Sequence, residues 1–149
     1  GPKVSLLFFS KIVNFRSLFP YSLCKVEKVL EKDYRHKIRV AHINGSFFFG
    51  SATQIISQFD EFLGTRYLIL DYDSNDLLDI SAIFALEDII LRLKAQHIKI
   101  YMVVNNDIKQ QLDKHNITNQ IDEIFSSEID AIEKAKSSFK NRVKKKYFE

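Results

Sequence analysis

The sequence lacks residues on which several classes of protein depend. Its single cysteine, Cys24, excludes an internal disulfide framework and a thiolate zinc cluster, and a reducing compartment is the simpler expectation. Only four glycines occur, and none belongs to a glycine-rich run that opens a helix with a lysine, so a phosphate-binding loop is excluded. No window approaches the ~20 apolar residues of a membrane helix. The histidines, which show no metal-ligand spacing, are His36, His42, His97 and His115.

The composition that is present fits one folded domain. The chain has 149 residues and a mass of 17.4 kDa, with 46% hydrophobic and 28% charged residues. These values are typical of a single globular domain and argue against disorder along the whole chain. Gly1 and Pro2 are typical of the remnant that a protease leaves after removing a tag, and we expect the chain to be a fragment of a longer protein.

Basic side chains are concentrated at both ends. Residues 1–40 carry nine basic and three acidic side chains and residues 134–149 carry seven and one, so each end has a net charge of +6. Because the whole chain has +3, residues 41–133 carry −9. Basic ends suit a position beside an anionic membrane leaflet, where each Lys or Arg contributes ~1 kcal/mol to the free energy of binding to the membrane surface. A solvated tail is the alternative, and no nucleic-acid partner is expected, because nucleic-acid binders more often carry this charge on a folded face.

Apolar periodicity predicts alternating strands and helices. The predicted strands cover residues 38–41, 46–49, 67–70, 98–104 and 121–125. The predicted helices cover residues 52–63, residues 82–96, a stretch that begins at 105–107, and residues 127–139. Strands that alternate with helices favour an α/β fold with a mostly parallel central sheet and helices packed against it. Residues 3–35 are predicted to be a linker with one short element.

Several local signals refine these elements. Asn44-Gly45 predicts a turn, and Gly64 predicts a helix end. Asp107 with Gln110 predicts a capping box for the third helix. The last helix is predicted to be capped by Ser127 and to bury one apolar face. The residues of that face are Ile129, Ile132, Ala135 and Phe139.

The loop at residues 71–81 is the candidate site, because ligand and regulatory sites favour the carboxyl ends of parallel strands. Its carboxylates suit a magnesium ion or an acid–base pair, and Ser81 lies at a helix start that tolerates an added phosphate. Turn formation and helix capping explain the same residues without any function, so all four alternatives stay open. The candidate residues are Asp71, Asp73, Ser74, Asp76, Asp79 and Ser81.

The remaining notable residues are interpreted as structural rather than as catalytic or ligand-binding. Cys24 lies in the predicted linker, where a lone cysteine is usually inert. His42 is predicted to pack on a strand face rather than to bind a ligand. The phenylalanines at 47–49 are predicted to contribute to the core rather than to a binding platform, with only alternate members pointing inward. The basic run at 144–146 is predicted to be a solvated tail, with a lipid or nucleic-acid contact as the alternative. No catalytic residue, cofactor or metal ligand is predicted.

Three segments resemble the STAS domain, the fold shared by sulfate transporters and anti-sigma factor antagonists. Residues 42–52 are similar to the G-x-[LF]-F-F-[GA]-x-A segment of the transporter-attached branch, whose phenylalanine pair the soluble antagonists usually lack. Residues 68–71 and 79–82 align without gaps with the family's strand, loop and D-[ST]-[ST]-[GA] turn. Residues 98–104 and the helix after them are similar to the next strand and helix. The resemblance covers residues 36 to about 139.

The resemblance implies a STAS-like α/β fold and a regulatory rather than enzymatic role. Asp79 matches the Asp of the family turn, and Ser81 falls on the position that is phosphorylated in the soluble antagonists. Ile80 and Ala82 depart from the first Ser/Thr of that turn and from its frequent Gly. Ser81 is therefore a candidate phosphoacceptor by resemblance.

The N-terminal segment extends the resemblance to one branch. Residues 5–13 are similar to the end of the last membrane helix of SulP-type anion transporters. This implies a regulatory domain at the cytoplasmic face of the (inner) cell membrane, as part of a larger integral membrane protein. The expected organisation is a tag remnant and juxtamembrane linker at 1–35, a STAS domain at 36–140 and a basic tail at 141–149.

The expected partners follow from that assignment. They are the transmembrane domain of the same polypeptide, a second copy in a homodimer, or a cytosolic protein. The alternative is a free-standing anti-sigma factor antagonist that acts as a phosphorylation switch. A small-ligand or nucleotide-binding module is a third class, which nucleotide titration calorimetry would test.

Overall fold

A parallel sheet forms the centre of the domain. The computed structural model describes residues 37–43 and 64–148. The strands lie side by side in the order β1-β2-β3-β4, and every neighbouring pair is parallel. This arrangement confirms the predicted α/β fold. The strands are β1 (Ile38–Ile43), β2 (Tyr67–Tyr72), β3 (Lys99–Val103) and β4 (Glu123–Phe125).

Helices connect β2 to β3 and β3 to β4, and a further helix follows β4. Helix α1 connects β2 to β3, whereas α2 and a short 3-10 turn at Thr118–Gln120 connect β3 to β4. Among the described residues, no helix combines the length and the hydropathy that a membrane crossing requires. The helices are α1 (Ile80–Ala95), α2 (Asn106–Lys114) and α3 (Glu128–Phe148).

The two faces of the sheet are covered by different layers. Side chains alternate across a strand, so Asp71 of β2 points to one face and Leu70 to the other. Asp71 interacts with Glu128 of α3, and α3 contacts all four strands, so α3 covers the first face. Leu70 is fully buried on the second face, to which α1 contributes through its contact with β3. The core therefore lies on both sides of the sheet, as expected for parallel strands.

Most predicted elements are confirmed, but three details of the prediction are wrong. Asp71 and Tyr72 pair with β1 and belong to β2, so the loop is shorter than predicted. Helix α2 is capped by Asn105, whose side chain accepts from the backbone N–H of Ile108 at 2.9 Å, and the predicted capping box at Asp107 is absent.

The third correction concerns the apolar face of the last helix. Ile129 is 67% exposed, and Ala131 is buried in its place beside Ile132 and Ala135. The reason is that Glu128 occupies the sheet-facing position of the first turn, so the buried face begins there. Ser127 caps this helix as predicted, because its hydroxyl accepts from the backbone N–H of Asp130 at 3.2 Å.

Several predictions lie outside the described residues. They concern the linker at 3–35, the turn at 44–45, the strand at 46–49 and the helix at 52–63. Gly64, the predicted helix end, is described, and its φ of +83° is the left-handed conformation that a glycine after a helix adopts. Helix α3 continues through most of the predicted basic tail, so these basic residues are helical up to Phe148.

Candidate functional site

The carboxyl edge of the sheet brings polar side chains together from separate parts of the chain. His42 lies near the end of β1, directly opposite Asp71 of β2 in the parallel register. Glu128 is the first residue of α3, which begins just after β4. Because parallel strands end at one edge, residues far apart in sequence meet there. We call His42, Asp71 and Glu128 the edge cluster.

The imidazole of His42 lies between the two carboxylates of the edge cluster. Its Nδ1 is 3.7 Å from Asp71 Oδ2, and its Nε2 is 3.2 Å from Glu128 Oε2. The Asp71 side chain is 13% exposed, and those of His42 and Glu128 are 28% and 21% exposed. The cluster is therefore largely withdrawn from water while remaining reachable from one side.

Burial and neighbouring charge shift the pKa values of Asp71 and His42. Loss of hydration raises the pKa of Asp71 to about 7, and a hydrogen bond with the Glu128 carboxyl adds to this effect. The pKa of His42 is raised by its hydrogen bond with Glu128 and by the nearby carboxylates, against the opposing effect of burial. Two carboxyls this close hold a proton between them near neutral pH.

The edge cluster supports two kinds of chemistry. It can hold and release a proton near pH 7, because the pKa of Asp71 is raised to about 7. Its imidazole and carboxylates also each offer one ligand atom, all within 4.8 Å of one another, which suits a divalent cation of borderline hardness. A divalent ion with a neutral imidazole would neutralise both carboxylates.

The structure separates the predicted candidate residues into two groups. Asp71 joins the edge cluster, whereas Asp73, Ser74 and Asp76 stay in the loop. The hydroxyl of Ser74 accepts from the backbone N–H of Asp76 at 3.1 Å, which is a turn-forming role. Among residues 37–43 and 64–148, the group that could hold a metal is the edge cluster rather than the run of loop carboxylates, for which a magnesium ion was one of the open alternatives.

Asp79 and Ser81 occupy the start of α1. Asp79 is its N-cap, and its carboxylate accepts from the backbone N–H of Ala82 at 2.8 Å. Ser81 is the second residue of the helix and is exposed, so its hydroxyl is accessible. The family turn is thus a helix N-terminus in this protein.

Two side chains of the α2 region hold the loop in place. Gln111 donates from Nε2 to the carbonyl of Leu78 at 2.5 Å and accepts from the N–H of the same residue at 2.9 Å. Asn105 donates to the carbonyl of Ser74 at 3.2 Å and to the side chain of Asn75 at 3.0 Å. The loop between β2 and α1 is therefore braced against the next helix.

Substitution of Gln111 by Ala is expected to destabilise the domain by about 1–3 kcal/mol, because two hydrogen bonds to Leu78 are lost. Urea unfolding measures the change. The matched control is Gln110→Ala on the same helix, where the exposed side chain predicts a change below about 0.5 kcal/mol. Equal losses in the two variants would contradict the bracing role of Gln111.

Negative charge at Ser81 is expected to stabilise α1, since the first turn has no acidic residue. Ser81→Glu should raise the free energy of unfolding by about 0.3–1 kcal/mol through the helix dipole, and Ser81→Lys should lower it by a similar amount. Thermal unfolding at low and high salt measures both, because salt screens the effect. Shifts of the same sign in the two variants would show that charge is not the cause.

Sequence reasoning missed two members of the edge cluster. His42 was expected to be packed, and Glu128 was not singled out. The available signal was that both follow or end a strand, as Asp71 does, and that parallel strands end at a common edge. The spacing of residues within one segment cannot reveal a cluster whose members come from three separate elements.

Apolar side chains remain exposed beside the loop. Ile80, Phe84 and Leu91 are 58%, 63% and 63% exposed, and Leu77 in the loop is 62% exposed. On an α-helix the first three lie within about 40° of one another, so they form one stripe. We call Leu77, Ile80, Phe84 and Leu91 the α1 stripe. Such a stripe next to an exposed Ser81 is typical of a protein-contact surface.

The fold and this edge define a small α/β domain with a braced polar loop and a contact surface. A family model, the STAS domain, matches residues 29–131, which is more than half of the chain. The chain therefore belongs to the STAS domain family. STAS domains are generally regulatory rather than catalytic. No curated protein matches the chain, and no solved structure matches it.

Proposed function

We propose that the chain is the cytoplasmic regulatory STAS domain of a SulP-type anion transporter and that it is not an enzyme. The α1 stripe carries the proposal that it acts by contact, because four large apolar side chains lie exposed beside Ser81. The transporter branch is supported by residues 42–52, with their phenylalanine pair, and by the resemblance of residues 5–13 to a membrane-helix end.

The proposed mechanism is a docking equilibrium. The α1 stripe docks on the transmembrane domain of the same polypeptide, and membrane helices outside this chain carry the anion. A phosphate on Ser81 would place about two negative charges at the edge of the stripe and bias docking against an apolar partner. A second copy of the chain or a cytosolic protein are the other partners that the same surface would fit.

Cell fractionation tests the proposal on the native protein. An antibody raised against this domain is used to blot the membrane and cytosolic fractions of the source cells. We expect a band several times larger than this chain in the membrane pellet, resistant to salt and alkaline wash. A soluble band near the size of this chain would overturn the proposal and favour an anti-sigma factor antagonist.

Phe84→Glu is expected to impair transport by the whole protein several-fold, because a charge in the centre of the stripe opposes apolar docking. Uptake of a panel of labelled anions into cells measures the effect. Ile129→Glu is the matched control, since Ile129 is also an exposed apolar residue, at 67%, but lies on α3. Equal uptake by the Phe84 variant, the control and the unmodified protein would contradict docking through the stripe.

A further inference from the structure

A basic cleft lies at the edge of the sheet opposite the edge cluster. Its volume is about 700 Å³, and none of its lining residues is acidic. Lys37, Arg66 and His97 line it from positions just before β1, β2 and β3, at the amino edge of the sheet. We call this feature the basic cleft. Its other cations, from the last turns of α3, are Arg142, Lys145 and Lys146.

The cleft brings together cations that are far apart in the sequence. Lys37 belongs to the N-terminal basic segment, residues 1–40, and the cations of α3 belong to the C-terminal segment, residues 134–149. Helix α3 has 21 residues and a length of about 31 Å, so it crosses the sheet from the edge cluster to the opposite edge. The C-terminal charges that local sequence predicts as a tail are therefore part of a folded surface.

Five Lys and Arg side chains in one cleft repel one another. This repulsion destabilises the compact state, and an anionic partner relieves it. Helix dipoles do not supply the positive charge here, because the end of α3 nearest the cleft is its carbonyl end. The side chains themselves therefore define the ligand as an anion that several cations can contact at once.

We infer that the basic cleft binds the phosphate-bearing headgroups of anionic phospholipids in the membrane leaflet beside the domain. This inference rests on the proposed function. Lys37, which lines the cleft, directly precedes β1, and residues 14–36 separate it from the proposed membrane-helix end. These residues reach at most about 80 Å when fully extended, so the leaflet is within range of the cleft.

The form of the cleft favours a surface of headgroups over a small soluble anion. Arg66, Arg142 and Lys145 are exposed, whereas sites for small ligands bury most of the ligand. Half-buried Phe139 and Val143 lie among the cations and can contact the apolar glycerol region of a lipid. An array of exposed cations with apolar side chains between them is typical of membrane-surface contacts.

The test is co-sedimentation of the 149-residue chain with lipid vesicles. Vesicles of phosphatidylcholine alone are compared with vesicles that also contain phosphatidylglycerol, at low and at physiological salt. We expect binding only to the anionic vesicles, weaker at higher salt. The double variant Arg66→Glu with Arg142→Glu should lower the partition coefficient at least ~25-fold, at about fivefold for each basic residue lost.

A matched variant separates the cleft from net charge. Lys109→Glu with Lys114→Glu changes the net charge of the chain equally, but both residues are exposed on α2 and do not line the cleft. It is expected to retain most of the vesicle binding, and circular dichroism confirms that both double variants are folded. Equal losses in the two double variants would overturn a role for the cleft.

Two further measurements test for other ligands of the cleft. Inorganic phosphate at millimolar concentration should leave vesicle binding nearly unchanged. If phosphate displaces the protein from the vesicles, the proposal of a lipid ligand is wrong and a free oxyanion is the ligand instead. Binding of single-stranded RNA that depends on Arg66 and Arg142, without vesicle binding, would also overturn it. If fractionation places the native protein in the membrane while vesicles do not bind, this inference fails and the proposed function stands.

Discussion

The domain is expected to lose stability as the pH rises through about 7, and Asp71→Asn is expected to remove much of that loss. The folded state holds a proton on Asp71 up to about pH 7, whereas the ordinary pKa of this side chain is 3.8. Between these values the unfolded chain binds fewer protons than the folded one. The free energy of unfolding therefore falls with pH, at no more than about 1.4 kcal/mol per pH unit for one proton.

His42 contributes in the same direction. Its pKa is raised in the folded state, so the stability from its proton is fully present below its unfolded pKa and is lost as the pH rises through the folded value. The groups that set this behaviour are Glu128 on α3, Asp71 on β2 and Asp73 in the loop. The two titrations add, and the pH dependence near neutrality belongs to the whole edge cluster.

Urea unfolding from about pH 5 to about pH 9, with a chelator present, measures this dependence. Asp71→Asn keeps the shape of the protonated side chain but cannot ionise, so its advantage over the unmodified protein should grow from about pH 5 to about pH 7 and then level off, because above that pH Asp71 is ionised in both states. Glu133→Gln, at an exposed position of α3, is the control and should leave the slope unchanged. A free energy of unfolding that does not change with pH in the unmodified protein would contradict the prediction.

Leu86→Ala is expected to destabilise the domain by about 2–5 kcal/mol, the second large effect. Leu86 lies on the buried face of α1 and is 0% exposed, so its removal leaves a cavity beneath the sheet. A loss of this size is a large part of the total stability of a domain, which is typically about 5–15 kcal/mol.

Leu91→Ala is the matched control for the core substitution. It changes the same residue type in the same helix at a site that is 63% exposed, so helix propensity cancels in the comparison. Its expected cost is below about 1 kcal/mol. Chemical unfolding of both variants measures the difference, and similar losses at the two sites would show that α1 does not pack as described.

The secondary structure of the described part was largely predictable from local sequence. The continuous apolar run of β2, at residues 67–70, is typical of a central parallel strand, and the 3.6-residue spacing in α1 predicted its buried face. The boundaries were less predictable. Asp71 and Tyr72 look like loop residues but pair with β1, because strand pairing depends on a partner that local sequence does not contain.

The candidate site was predictable only in part. Strand-to-helix position singled out Asp71, Asp79 and Ser81, and the structure places Asp79 and Ser81 at a capped helix start as a turn signal would suggest. The partners of Asp71 were not predictable from spacing. His42 and Glu128 reach it through the register of β1 with β2 and through the position of α3, which are properties of the assembled sheet.

The sequence by itself determined the α/β class, the parallel sheet and the family, because apolar periodicity and the short motifs are local properties. Tertiary structure alone decided which polar groups meet. It buried Asp71 against Glu128 and His42, and so raised the pKa of a carboxyl that local sequence leaves ordinary. It also placed Lys37 beside three cations of the last helix, Arg142, Lys145 and Lys146, in one cleft. Burial and electrostatic coupling depend on distance in space, which is set only when all four strands and α3 are packed together.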